Sequence, residues 1–402
     1  MSNGIFKLNN RVNNNFNKYW LSFITFVGIF LFALGIVGSE RLIPILERTF
    51  HLKHWKAGVI ISANLIGFLI AILTGGILSD FIPRKYLIIT GFALLSAGAI
   101  IFGFLQTYLA LLIGNFLIGL SGGFLEGLLS LVIMDIFANK RGMALNLSQV
   151  FFGLGAGSAP FLVMAFTHWR IFYLIITISS FVTLLISLPQ KFPEVFDNSA
   201  EIPEKKIKLL RLFINKRFLL TILAMFFYSC TEMGIASWIS DLFAKYYHSS
   251  RLMATLSLSS YWGAQLIGRS TIGLKVDKFK SERFISILFF ISSFFLFFAL
   301  IFDRMIVSYI FFSLSGLSMA PIWPTILSNA RNNFNDFPGT AFGVIAASGA
   351  GAGIIVPPFI GRLADIYTIR IALSIIILTS ILGGILYKFI EKVSPTEGQR
   401  LK

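Results

Sequence analysis

Gly76-Ile77-Leu78-Ser79-Asp80 closes one apolar stretch of the chain and is followed by Pro83-Arg84-Lys85. At an offset of 197 positions, Gly273-Leu274-Lys275-Val276-Asp277 closes another and is followed by Lys278 and Lys280. Two further features keep the same offset. Gly119-Leu120-Ser121 returns as Gly316-Leu317-Ser318, and Pro160, after a glycine-rich run, returns as Pro357. A repeat of this length in an apolar chain implies two homologous halves in parallel arrangement.

Composition places those halves in a bilayer. Only 13% of the 402 residues are charged, against about 25% in soluble domains. A single cysteine, Cys230, excludes a disulfide framework and any multi-cysteine metal site. The net charge of +16 would ordinarily point to nucleic acid. Here the basic residues sit in short segments between apolar spans, the pattern of the positive-inside rule, so no nucleic-acid partner is expected. The polar, Asn-rich segment from Met1 to Lys18 reads as a retained cytoplasmic tail, because the apolar span behind it is too long for a signal-peptide core.

A spanning helix needs about 20 largely apolar residues. Twelve stretches qualify, near 19–45, 57–79, 86–105, 108–136, 143–166, 170–188, 217–243, 252–276, 284–302, 305–329, 339–363 and 369–389. The expected fold is an all-α membrane protein with two pseudo-symmetric six-helix bundles, 1–188 and 217–402. They are joined by a cytoplasmic central loop, 189–216, that holds Lys205, Lys206, Lys208 and Arg211. The loop reads either as a plain linker or as a segment that meets anionic headgroups. With the N-terminus inside, the inner segments hold 23 Lys plus Arg and the outer ones 9, which predicts both termini in the cytoplasm of a multi-pass cell-membrane (plasma or inner) protein. Arg48, Lys53 and Lys56, between spans 1 and 2, run against that trend.

In the repeated motif, Gly76 and Gly273 permit close helix approach. Asp80 ends its helix on the cytoplasmic side, where it can pair with Arg84 or cap a neighbouring helix N-terminus, and Asp277 echoes it in the second half. A single copy could be an ordinary interfacial turn; two copies suggest a latch that closes in one conformation and opens in another. This motif resembles the signature between helices 2 and 3 of the major facilitator superfamily, and the resemblance, with twelve spans and a central loop, covers the whole chain.

Carboxyls at membrane depth are rare and are functional candidates by default. Glu126 lies in span 4, in Gly122-Gly123-Phe124-Leu125-Glu126-Gly127, and Glu232 in span 7, in Thr231-Glu232-Met233-Gly234. Desolvation favours the protonated form of a carboxyl, which suits a group that binds and releases protons, so both are proton-coupling candidates. The plain alternative is a hydrogen-bonded structural carboxyl. Arg269 in span 8 could neutralise either one, contact a substrate oxygen, or form a structural pair near the cytoplasmic end of its span. Asp135, near Lys140 and Arg141, is expected in a cytoplasmic salt bridge.

Asn64, Asn146, Gln149 and Gln265 offer amide groups within spans, and Trp238, Trp262 and Trp323 offer flat faces. Amides beside aromatic faces suit a sugar, whose hydroxyls need partners and whose C–H faces stack. Within the superfamily, Gly119-x-x-Gly122-x-x-x-Glu126, Phe152-Gly153-Leu154-Gly155-Ala156, Tyr228-x-x-Thr231-Glu232 with Trp238, Tyr261-Trp262-Gly263 with Gly268-Arg269, and Pro321-Ile322-Trp323-Pro324-Thr325 resemble the fucose/hexose–proton symporter family. That resemblance implies proton uptake at Glu126. Fucose permeases carry an acidic residue in the middle of span 1, whereas here Glu40 lies nearer its outer end.

The resulting expectation is a secondary active transporter, functional as a monomer, that moves a small polar solute by proton-coupled alternating access. Its partners are that solute, protons and the lipid bilayer; no cofactor and no metal are expected. The glycine–proline run of span 5 loosely resembles that of drug–proton antiporters, which leaves a drug or metabolite exporter as the alternative. An anion exchanger would need more cavity cations than Arg269. An enzyme is not expected: no nucleophile–base pair or phosphate loop appears, and His51, His54, His168 and His248 fall in loops or at span ends.

Overall fold

A chain in hydrocarbon must satisfy every backbone N–H and C=O internally, and continuous helix is the simplest way to do so. The computed structural model describes residues 2–166, 168–193 and 202–393, and these are helices joined by short turns, with no strand among them. In chain order they are α1 (Ser2–Thr49), α2 (His54–Leu78), α3 (Arg84–Phe104), α4 (Tyr108–Ile136), α5 (Arg141–Ala165) and α6 (Trp169–Ser187). There follow α7 (Ile202–Ile214), α8 (Lys216–Asp241), α9 (Arg251–Thr271), α10 (Ser281–Ile301), α11 (Met305–Met319) and α12 (Ile322–Asn333). The last three are α13 (Pro338–Ile366), α14 (Ile369–Leu373) and α15 (Ile375–Lys392).

Among the described residues, eleven helical segments are long and apolar enough to cross a membrane, counting α11 with α12 and α14 with α15 as single spans. The other expected span is α9. Its 21 residues give enough length, but Thr255, Ser257, Ser259, Ser260, Gln265 and Arg269 make it too polar for that class. The hydroxyls need no outside partner. Thr255, Ser257 and Ser259 each donate to a carbonyl three or four residues back, at 2.9, 2.7 and 3.2 Å. Two other departures from the sequence reading have local causes. Span 10 is broken between α11 and α12, where Pro321 lacks the N–H that would continue the helical ladder. Residues 202–214 of the expected central loop form the amphipathic helix α7.

The chain divides into two compact units. One comprises Met1–Arg141 and Ser148–Asn198; the other comprises Gly142–Leu147 and Ser199–Lys402. In the first unit α4 is the central post, with α1, α2 and α3 packed along it and α6 against α3 and α1. In the second, α8 packs on α13 and α15, α10 on α15 and α11, and α9 on α11.

Small residues set the tightest of these contacts. A Cβ at Gly119 of α4 would lie 2.0 Å from the carbonyl oxygen of Asn64 on α2, so only glycine permits this backbone separation. Asn64 then fastens the same interface: its Nδ2 donates to the backbone oxygen and to Oδ1 of Asn115, both at 3.1 Å, and Asn115 Nδ2 donates to Ile60 O at 2.8 Å. Gly119→Ala is expected to cost about 1–3 kcal/mol by overpacking, seen as a lower melting midpoint of the purified protein in detergent. Gly157→Ala, where a Cβ meets nothing within 4 Å, serves as the neutral control. Equal midpoints for the two variants would refute the close-approach account.

Candidate functional site

The two copies of the repeated motif are built differently in detail. In the first, α2 ends at Leu78, and a turn carried by the Phe81 and Ile82 amides, both bonded to Leu78 O, leads through Pro83 into α3. Asp80 and Arg84 are both buried, at 7% and 1% exposure. Arg84 donates from Nη1 to Oδ2 of Asp135 at the end of α4, at 2.7 Å, a buried pair that ties the start of α3 to the end of α4. Lys85 Nζ donates to the carbonyl of Leu188, just beyond α6.

In the second copy, Gly273–Lys278 is a short 3₁₀ turn after α9. The Asp277 carboxylate accepts from the amides of Gly142 (3.0 Å) and Met143 (2.7 Å), residues grouped in the same compact unit. These are orphan donors in the first turn of α5, and the residue before that helix, Lys140, gives no side-chain cap. A carboxylate there satisfies two N–H groups and meets the positive end of the helix dipole. A Cβ at Gly273 would stand 2.4 Å from Oδ1 of Asn146, and Asn146 Nδ2 donates to Gly142 O at 2.9 Å. Asn146, expected among substrate contacts, is therefore packed beside the Asp277 cap.

The two deep carboxyls each meet an amide. Glu126 on α4 and Gln149 on α5 are both 4% exposed, and Gln149 Nε2 donates to Glu126 Oε1 at 2.7 Å. Glu232 on α8 accepts at Oε1 from Tyr228 Oη (2.5 Å) and from Gln265 Nε2 on α9 (2.9 Å). Gln265 Oε1 in turn accepts from Arg269 Nη2 at 3.0 Å, and Arg269 Nε donates to Ala320 O at 3.4 Å, at the break between α11 and α12. Arg269 thus reaches Glu232 through an amide bridge. The i, i+4 spacing of Tyr228 and Glu232 is visible in the sequence and was the available signal for adding Tyr228 to the site.

The three tryptophans have separate surroundings. Trp238 donates from Nε1 to Pro357 O at 3.0 Å and lines a cleft of about 370 Å³ with Asp241, Lys245 and Tyr246. Trp262 meets Tyr261 edge to face at 5.5 Å, and Trp323 meets Phe342 at 6.4 Å. Asn64 stays within the α2–α4 contact described above.

The sequence profile of the Major Facilitator Superfamily matches residues 23–357. Over 380 residues the chain is 23% identical to a TsgA protein homolog of Buchnera aphidicola, covering 93% of this chain and 95% of that one. It is 24% identical over 376 residues to a putative glucose/galactose transporter of Helicobacter pylori, covering 84% and 88%. A solved structure of the Escherichia coli fucose:proton symporter superposes with a TM-score of 0.79 at 23% identity, over 92% of this chain and 98% of that one. With the repeated motif, the helical architecture and a profile match over most of its length, the chain belongs to the major facilitator superfamily and is a multi-pass membrane transporter.

Proposed function

We propose that this transporter moves a sugar, coupled to protons, by alternating access, and that Glu126 carries the proton. The observation that carries the reading is the buried Glu126–Gln149 pair at 2.7 Å. A glutamine amide offers N–H to a carboxylate and, turned over, C=O to a carboxylic acid. The pair can therefore keep a hydrogen bond in both protonation states, which is what a reversible proton carrier away from water requires.

Glu232 is assigned a different part. Tyr228 and Gln265 both donate to it, and the oxygen of Gln265 is engaged by Arg269, so that amide has a fixed orientation. The network suits a carboxyl group held in a fixed place between α8 and α9. The sugar reading is supported by the names of relatives that span most of the chain, a glucose/galactose transporter among them. Proton coupling is supported by structural likeness to a fucose:proton symporter. Gln149, Gln265, Trp262 and Trp323 are the proposed sugar contacts, with the ring of Trp238 as a further surface. Asp80 with Arg84, and Asp277 with Gly273, are proposed as conformational latches, closed in one state of the transport cycle and open in another. Both termini are placed in the cytoplasm, and the unit of function is the monomer.

Glu126→Gln in proteoliposomes should abolish uphill accumulation driven by an inward proton gradient while counterflow exchange persists. The substrate is first found by thermal stabilisation against a panel of hexoses, deoxyhexoses, organic acids and cationic drugs. Undiminished accumulation by the variant would remove Glu126 from the coupling. Stabilisation by cationic drugs alone, with outward movement, would replace uptake by export.

The amide bridge gives a separate prediction. Arg269→Leu should destabilise the protein by about 1–3 kcal/mol, because it leaves the buried oxygen of Gln265 without its donor and loosens the amide that serves Glu232. Glu232→Gln should lower the detergent melting midpoint less in the Arg269→Leu background than in the intact protein, because both groups act through Gln265. Strictly additive effects would mean that the two groups are uncoupled.

A further inference from the structure

The helix α7 is not explained by solute transport. It lies one residue ahead of α8, whose membrane-spanning stretch begins at Lys216, and the intervening Asn215 caps α8 by accepting from the Phe218 amide at 3.1 Å. Its position at the mouth of a spanning helix is therefore fixed by covalent connection and by a cap.

From residue 207 onward its side chains divide into three arcs. Leu212 is buried at 9% exposure and Leu209 is half-buried, which is the side turned to the protein. Ile207, Leu210 and Ile214 fall at i, i+3 and i+7, one face of a helix. They are 54%, 68% and 79% exposed. Phe213 extends that arc and meets Phe218 edge to face at 5.8 Å. Between the apolar and buried arcs stand Lys208 and Arg211, both exposed.

A helix with this division in water would show three large aliphatic side chains for no gain. One at the edge of a bilayer would place them among acyl chains at about 25 cal/mol per Å² of apolar surface removed from water, with its basic side chains at phosphate level. We infer that α7 is an interfacial helix. It docks on the membrane surface beside α8 through Ile207, Leu210 and Ile214, and Lys208 and Arg211 recognise anionic lipid headgroups. Charge complementarity selects the lipid. Each basic residue near an anionic leaflet contributes about 1 kcal/mol, roughly fivefold in local association. This assignment depends on α8 spanning the membrane and not on the identity of the solute.

The test uses the full chain with Cys230→Ser, reconstituted in nanodiscs of phosphatidylcholine with or without phosphatidylglycerol. Single cysteines at Leu210, Ile214 and Arg211 carry a spin label whose collisions with oxygen and with a water-soluble nickel chelate are compared. At 210 and 214 the oxygen-to-chelate ratio should be several-fold higher than at 211, and it should rise further with phosphatidylglycerol. The double charge reversal Lys208→Glu/Arg211→Glu, read from the label at 210, should remove the dependence on phosphatidylglycerol. Chelate access at 210 and 214 equal to that at 211 would overturn the proposal, placing the helix in water. Protection from both reagents would also overturn it, because the face would then be covered by protein. A high ratio indifferent to phosphatidylglycerol would overturn the headgroup recognition.

Discussion

A polar group taken from water into an apolar interior must find replacement partners or cost several kcal/mol. Four of the ionisable groups of this chain have such partners. Glu126 has the amide of Gln149; Glu232 has Tyr228 and Gln265; Arg84 has Asp135; Asp277 has the first turn of α5. Each partner lies on a different helix from the group it serves, apart from Tyr228. The polar bonds are thus also the cross-links between helices. In hydrocarbon such links hold helices together where the hydrophobic effect gives no preference between helix and lipid. A polar residue in these spans consequently has structural and chemical roles at once.

The sequence exposes the first half of such pairs more readily than the second. Long apolar runs mark the spans because a bilayer sets their length, and Glu126, Glu232, Gln149 and Gln265 stand out as polar residues inside them. Their pairing across helices was not legible. Arg84 and Asp135 lie 51 positions apart, and nothing in either neighbourhood names the other. Asn64 and Asn146 illustrate the converse. Both look like solute-binding amides in the sequence, and in the structure their N–H groups also serve helix contacts, donating to Asn115 and to Gly142. An amide in a span is ambiguous until its neighbour is known.

The helix α7 escaped for a different reason. Its basic residues leave open a segment that meets anionic headgroups as well as a plain linker. Its apolar positions, however, are too few for a span and are interrupted by lysines, so a reading tuned to 20-residue runs does not mark it as a helix. The 3–4 spacing of Ile207, Leu210 and Ile214 was present and becomes informative only at that shorter length. The break in span 10 was announced by Pro321 and Pro324, although the position of the joint follows from the backbone.

That joint has a mechanical consequence. Position 126 in α4 corresponds, at the repeat offset, to Trp323 just beyond the break. One unit thus holds its deep carboxyl on an unbroken beam of 29 residues, while the corresponding element of the other unit is jointed into pieces of 15 and 12. Bending stiffness in a helix resides in its ladder of backbone bonds, and the ladder is interrupted at Ala320–Pro321. A load applied equally to both units would therefore deform the second first, at the carbonyl that Arg269 reaches. Two halves that began as copies have come to differ in compliance, one stiff and one yielding.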